Sequence, residues 1–293
     1  MGILDTWKKY RALDSRQQEF IWAGQRVCQF TKDEWLAFLR PLALFDAQGD
    51  QLRGKLGCSI FVVFFLGVVC MAFLPPLGLL FWIGSVITWM MYRTLAKRDI
   101  HNSLREFILP LVEIIGEDMA PEAKLKLRID LRGFELDSKR ISHREENMGW
   151  FAPYPRTVEN IFKNPWLEGE TRLRDGTTLQ WKITDHVRKR VVTNKTGGLS
   201  RSKIKTKTKY KIEQIVDLRL APKLGRYSVE EKQETAHGEK GITFRRGENR
   251  HVFSLRETRV ESSIDTVFPK EFFIAALGKL FMQVRPVSNE TKG

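Results

Sequence analysis

Residues 56 to 92 contain no Asp, Glu, Lys or Arg, and only Pro75-Pro76 interrupts the apolar run. At about 1.5 Å per helical residue, residues 56–74 cover the roughly 30 Å of a bilayer's hydrocarbon core, and residues 77–92 are somewhat short of it. Ile60, Phe61, Val62, Val63, Phe64, Phe65 and Leu66 leave no polar face, so the pattern is that of a lipid-facing helix rather than an amphipathic one. A cleaved secretory signal would stand at the extreme N-terminus, whereas this run follows 55 mostly polar residues. The sequence therefore predicts two transmembrane helices joined by a tight turn.

The flanks set the expected orientation. Arg53 and Lys55 precede the first span, Arg93, Lys97 and Arg98 follow the second, and the turn carries no charge. The positive-inside rule then places both termini in the cytoplasm. Gly57, Gly67, Gly78 and Gly84, with Ser59 and Ser85, permit close helix packing within the hairpin or between copies, so a homo-oligomer is compatible with the spans. Neither span carries a charged residue, which argues against a proton relay.

Around this hairpin the chain divides into residues 1–54, N-terminal amphipathic helices, cytoplasmic or interfacial; 55–93, the hairpin; 94–118, a connector helix; and 119–293, a cytoplasmic β-rich domain. Thr31-Lys32-Asp33-Glu34 and Ser103-Leu104-Arg105-Glu106 are capping-box patterns that open helices. Residues 124–132 alternate charged and apolar side chains without error, the pattern of a half-buried strand. Residues 138–168 lack clean periodicity and read as an irregular loop with a short helix near 158–162. Asp175-Gly176, Gly197-Gly198 and Gly247-Glu248-Asn249 mark hairpin turns. Pro269-Lys270-Glu271 opens a C-terminal helix whose apolar stripe covers one face of the sheet. The expected fold is a membrane α-helical hairpin plus a cytoplasmic α+β domain dominated by antiparallel β-hairpins with a C-terminal helix.

The net charge of +14 points to anionic partners, and its excess lies after the spans. Residues 186–212 hold ten Lys or Arg and no acid. Lys203, Lys205, Lys207, Lys209 and Lys211 occupy one face of a strand, and Lys182, His186, Arg188 and Arg190 occupy the matching face of its partner. Like charges directly opposed across strands are destabilising, so a ribbon that accumulates them implies an external anion. The candidate anion-binding residues are thus Lys182, Arg188, Arg190, Lys203, Lys205, Lys207, Lys209 and Lys211. Three explanations compete: lysines guarding an exposed sheet edge, contact with acidic phospholipids, and contact with nucleic acid or another polyanion, for which only Tyr210 and Trp181 offer aromatic interleaving.

Chemistry is less legible. The five histidines show no metal-ligand spacing, and phosphate-loop, dinucleotide and nucleophile-elbow motifs are absent from the sequence. Cys28, Cys58 and Cys70 form no even disulfide framework or zinc ribbon. His143-Arg144-Glu145-Glu146 is a polar cluster without the apolar surroundings that tune catalytic pKa values. No catalytic residue, metal or cofactor is assigned. The sequence favours a non-enzymatic, membrane-anchored protein whose basic domain binds an anionic surface, with an oligomeric pore-forming or membrane-perturbing protein as the alternative and a membrane-associated enzyme third.

Overall fold

A computed structural model describes residues 3–147, 156–196, 203–223, 227–228, 242–247, 250–264 and 266–286. The turn expected at Gly197-Gly198, the aromatic stretch 148–155, and Glu248-Asn249 lie outside these residues. The chain forms two compact units: Met1–Gly24 with Asp33–Glu113, and Gln25–Lys32 with Ile114–Gly293.

The first unit is helical. Helices α1 (Ile3–Ala12) and α2 (Ser15–Ala23) precede α3 (Lys32–Phe73) and α4 (Pro75–Ala96), and a π-helical turn, Leu104–Ile108, leads into α5 (Leu109–Asp118). Gly24 stops α2 in the left-handed conformation, φ 63°, with its N–H donating to Phe20 O at 2.8 Å. The N–H of Leu109 reaches back to Leu104 O, and Pro110 next in line has no N–H to give, which accounts for the widened turn before it.

Helix α3 is continuous for 42 residues, through Pro41 and on into the apolar run, whereas the sequence pattern divided residues 1–54 from the hairpin at 55–93. Pro41 cannot satisfy the carbonyl of Ala37. The buried side chain of Gln17 supplies the missing donor, its Nε2 lying 3.4 Å from Ala37 O and 2.9 Å from Phe38 O. Further along, α3 and α4 are long and apolar enough to cross a membrane by length and composition, and Phe61, Phe65 and Phe73 are among the most exposed side chains. Gly67 gives its missing side chain's space to the Trp82 indole, and Trp82 stacks on Phe64 at 5.8 Å. Gly78 lies equally close to Met71.

The second unit is built on one eight-stranded antiparallel sheet. Its strands are β1 (Gln25–Phe30), β2 (Leu125–Asp130), β3 (Arg140–Asn147), β4 (Arg156–Arg172), β5 (Thr178–Thr196), β6 (Lys203–Ala221), β8 (Ile242–Arg245) and β9 (Val252–Glu261). A separate pair joins β7 (Tyr227–Ser228) to β10 (Arg285–Pro286). The order is β1-β2-β4-β5-β6-β9-β8, with β3 on β4. Helix α6 (Lys270–Phe281) packs on β6 and β9, and Phe273 meets Trp181 edge-to-face at 6.3 Å.

Two sequence expectations change here. Residues 25–30, placed among N-terminal helices, pair with β2 from Gln25↔Asp130 to Phe30↔Leu125. The stretch 138–168 is largely strand rather than loop, and no helix forms near residue 158. Adjacent apolar pairs such as Ile161-Phe162 and Trp166-Leu167 break the alternation of β4, and a bulge between Pro165 and Leu167 accommodates the proline.

The sheet has a sharply divided surface. One face carries Leu127, Leu167, Trp181, Ile183, Val216, Leu218 and Leu255, all buried. Gly169 stands opposite Trp181, and the absence of a side chain there lets the indole lie over the β4 backbone. The other face is polar, and its charges are unevenly arranged along the strands.

Candidate functional site

Across the middle of the polar face the sheet register aligns Arg128↔Glu168, Glu168↔Lys182, Lys182↔Asp217 and Asp217↔Arg256. Five strands thus place alternating signs in one row. Lys182 Nζ lies 2.6 Å from Glu168, and Arg256 Nε lies 2.5 Å from Asp217, which raises the Arg256 pKa. The row satisfies itself electrostatically and pins the register. Lys182, one of the eight residues singled out from the sequence, belongs to this sign-alternating ladder, flanked by Glu168 and Asp217.

Further along the same strands the rule is broken. Arg188 faces Lys211, Arg190 faces Lys209, and Lys207, Lys205 and Lys203 continue the row opposite Val192, Asn194 and Thr196. Seven of the expected residues therefore share one face of one β5–β6 ribbon. Strand β9 pairs with β6 only along residues 212–220, so residues 203–211 have no second strand partner among the described residues. Here β6 is an edge strand among the described residues, while β5 remains flanked by β4 and β6.

Acids outside residues 186–212 reach part of the ribbon, which the sequence count did not reveal. Glu159 on β4 pairs with Arg188 at 2.7 Å; Arg188 above all, then Arg190 and Arg144, holds the Glu159 carboxyl below its ordinary pKa. Lys211 pairs with Glu213 at 2.8 Å and lowers that carboxyl likewise. Arg144, Glu146, Thr157, Glu159, Arg188 and Arg190 line a dent of about 130 Å³. Lys205, Lys207 and Lys209 have no carboxylate partner among the described residues.

The aromatic side chains expected to interleave with these cations face the other way. Tyr210 packs on Phe134, with ring centroids 6.3 Å apart, and Trp181 is buried beneath α6. Neither can stack a base on the basic face. Ile204, on the reverse of the ribbon, is 60% exposed.

Several polar clusters lie away from the ribbon. In the first unit Asp46, Asp50 and Asp99 place carboxylate oxygens within 4.8 Å of one another. Two guanidiniums engage them: Arg53 bridges Asp50 and Asp99, and Arg105 contacts Asp46 at 3.3 Å and Asp50 at 3.1 Å. Burial, then the Asp50 charge, pushes the Asp46 carboxyl up to about 7. In the second unit Lys139, itself buried, donates to Asn164 Oδ1 at 2.6 Å and Gly133 O at 2.7 Å and pairs with Asp130 at 3.1 Å. Burial raises the Asp130 pKa, but hydrogen bonds from Arg132 and Lys139 outweigh it and hold the group at about 2. The Asp185 carboxyl, whose Oδ1 is out of solvent, is pushed by burial up to about 7. His143 lies on β3 in an exposed contact with Asn160 at 2.7 Å. None of these clusters combines a nucleophile, a base and an open cavity.

Comparison with protein-family models, with curated proteins and with solved structures gives no match to this chain.

Proposed function

We propose that this chain is a non-enzymatic, membrane-anchored protein whose cytoplasmic β domain engages an anionic surface, such as acidic lipid head groups or another polyanion, through the β5–β6 ribbon. Support comes from one observation above all: the strand pair that alternates sign at Lys182/Asp217 opposes like charges at Arg188/Lys211 and Arg190/Lys209. Edge protection alone does not call for this arrangement. Lysines on β6 suffice to guard a free edge, but Arg188 and Arg190 lie on β5, which is flanked on both sides. Glu159 and Glu213 offset the repulsion at Arg188 and Lys211, while Lys205, Lys207 and Lys209 have no such carboxylate among the described residues, and an external anion offsets what remains.

The membrane anchor in this proposal is the α3–α4 hairpin, with the flanking Arg53, Lys55, Arg93, Lys97 and Arg98 on the cytoplasmic side. The rival reading, an oligomeric pore, draws on small residues in the hairpin. Gly67 and Gly78 already serve packing inside a single copy, against Trp82 and Met71, which weakens that argument.

The test is co-sedimentation of the full-length chain, held in phosphatidylcholine nanodiscs, with vesicles rich in phosphatidylserine. The variant carrying Gln at positions 203, 205, 207 and 209 should lose most of the binding, each cation near a leaflet being worth about 1 kcal/mol. An oligonucleotide competitor that strips the wild-type protein from vesicles would transfer the ribbon to nucleic acid. Equal sedimentation of wild type and variant would sink the proposal.

A further inference from the structure

A second, separate cluster of cations lies at the opposite end of the β5–β6 pair. There the β4–β5 turn, the segment before β2 and the chain leaving β6 enclose a recess of about 520 Å³. Lys124, Arg172, Arg174 and Lys223 all line it. We propose that this recess binds a small phosphate-bearing anion.

The argument rests on how the local acids are used. Asp175 sits at the recess, yet its carboxylate already accepts from the Thr177 N–H and the Thr177 hydroxyl, both at 2.8 Å, and from the Tyr227 hydroxyl. Those bonds shape the turn and leave little acceptor capacity for a neighbouring cation. Glu122 is the other carboxylate at the rim, and it is exposed. Lys124, Arg172 and Lys223 have no carboxylate within ion-pair distance among the described residues.

The backbone also shapes the turn beside these cations and places Arg174. Gly176 adopts φ 85°, a conformation that side chains strain against, and a Cβ there would stand 3.4 Å from Lys223 Cδ and 3.7 Å from Arg172 Nη2. Arg174 is fixed by its Nε, which donates to Met119 O at 3.2 Å, while its backbone N–H donates to Asp118 O at 2.8 Å. Its two Nη groups remain to meet a ligand. Two guanidinium forks with two ammonium groups match the several oxygens of a phosphate or diphosphate better than the two oxygens of one carboxylate. The volume is large enough for a diphosphate.

The experiment is isothermal titration of the full-length protein, solubilised in neutral detergent, with inorganic pyrophosphate and separately with orthophosphate. Saturable one-to-one binding is expected, tighter for pyrophosphate. Combining Arg172→Gln with Lys223→Gln should weaken it at least about tenfold, the loss of two charge-assisted contacts. Combining Lys205→Gln with Lys207→Gln in the ribbon should leave it unchanged. Should the recess double variant melt at lower temperature than wild type, the exposed single change Lys124→Gln must by itself weaken binding severalfold. Absence of saturable binding, or equal loss in the ribbon variant, overturns the proposal; the latter would mean that pyrophosphate reads only diffuse charge.

Discussion

Replacing Lys209 with Glu should make the protein more stable and less able to bind. In the wild type the row across the ribbon reads Arg144, Glu159, Arg190, Lys209, so the alternation fails at its last member. Lys209→Glu completes it, reproducing the Arg128-Glu168-Lys182-Asp217-Arg256 ladder lower in the same sheet. Cross-strand pairs contribute roughly 0.2–1 kcal/mol each, and exchanging a repulsive for an attractive pair on so exposed a ribbon should stay near 0.5–1 kcal/mol after screening. Hydrogen exchange of amides in residues 188–194 and 203–211 reads that directly, because local opening rather than global unfolding governs it. Exchange should slow about two- to fivefold. Binding to acidic vesicles should weaken by about 2 kcal/mol, since one cation is lost and one anion gained. Faster exchange, or undiminished binding, would refute the reasoning that like charges are retained here for an external anion.

Three further outcomes follow from the structure. Gly169→Ala puts a methyl group into the Trp181 indole, 2.7 Å from Cη2, with Phe273 behind the ring; urea denaturation of the second unit should show a loss of about 1–3 kcal/mol or more. Asp130→Ala leaves Lys139 buried without its carboxylate, and the same assay should report about 3–5 kcal/mol of destabilisation, partly relieved by pairing it with Lys139→Met. Asp46 has a folded-state pKa of about 7 against an ordinary 3.8, so the native state holds the extra proton between those values. Its contribution to stability is therefore greatest at low pH and falls as pH rises from about 4 to 7; Asp46→Asn should flatten that slope in thermal melts taken across the range.

What the sequence disclosed depended on whether a pattern was local. The uninterrupted alternation of residues 124–132 became β2, the Asp175-Gly176 pair became the β4–β5 turn, and the stripe after Pro269 became α6. The odd-numbered lysines of β6 and even-numbered cations of β5 do share a face, because period 2 fixes side-chain direction without knowledge of partners. Strand β1 escaped notice because six residues between helices carry too weak an alternation, and its pairing partner lies a hundred residues away. The ribbon's charge was overestimated for the same reason. Glu159, which neutralises Arg188, belongs to a stretch whose bulge and adjacent apolar pairs disguised it as a loop. Likewise, the donor that repairs the helix at Pro41, Gln17, sits on another helix and could not be read from the local pattern. The recess at Lys124, Arg172, Arg174 and Lys223 could not be assembled from sequence, since the β2–β4 and β5–β6 pairings bring its three segments together.

The most direct test of the central claim is the salt dependence of binding between the nanodisc-held full-length chain and phosphatidylserine vesicles. An affinity that falls steeply with ionic strength, with a shallower slope in the variant bearing Gln at 203, 205, 207 and 209, is the predicted result. Binding independent of salt, or one slope shared by both proteins, would contradict the account and leave the lysine ladder as edge protection.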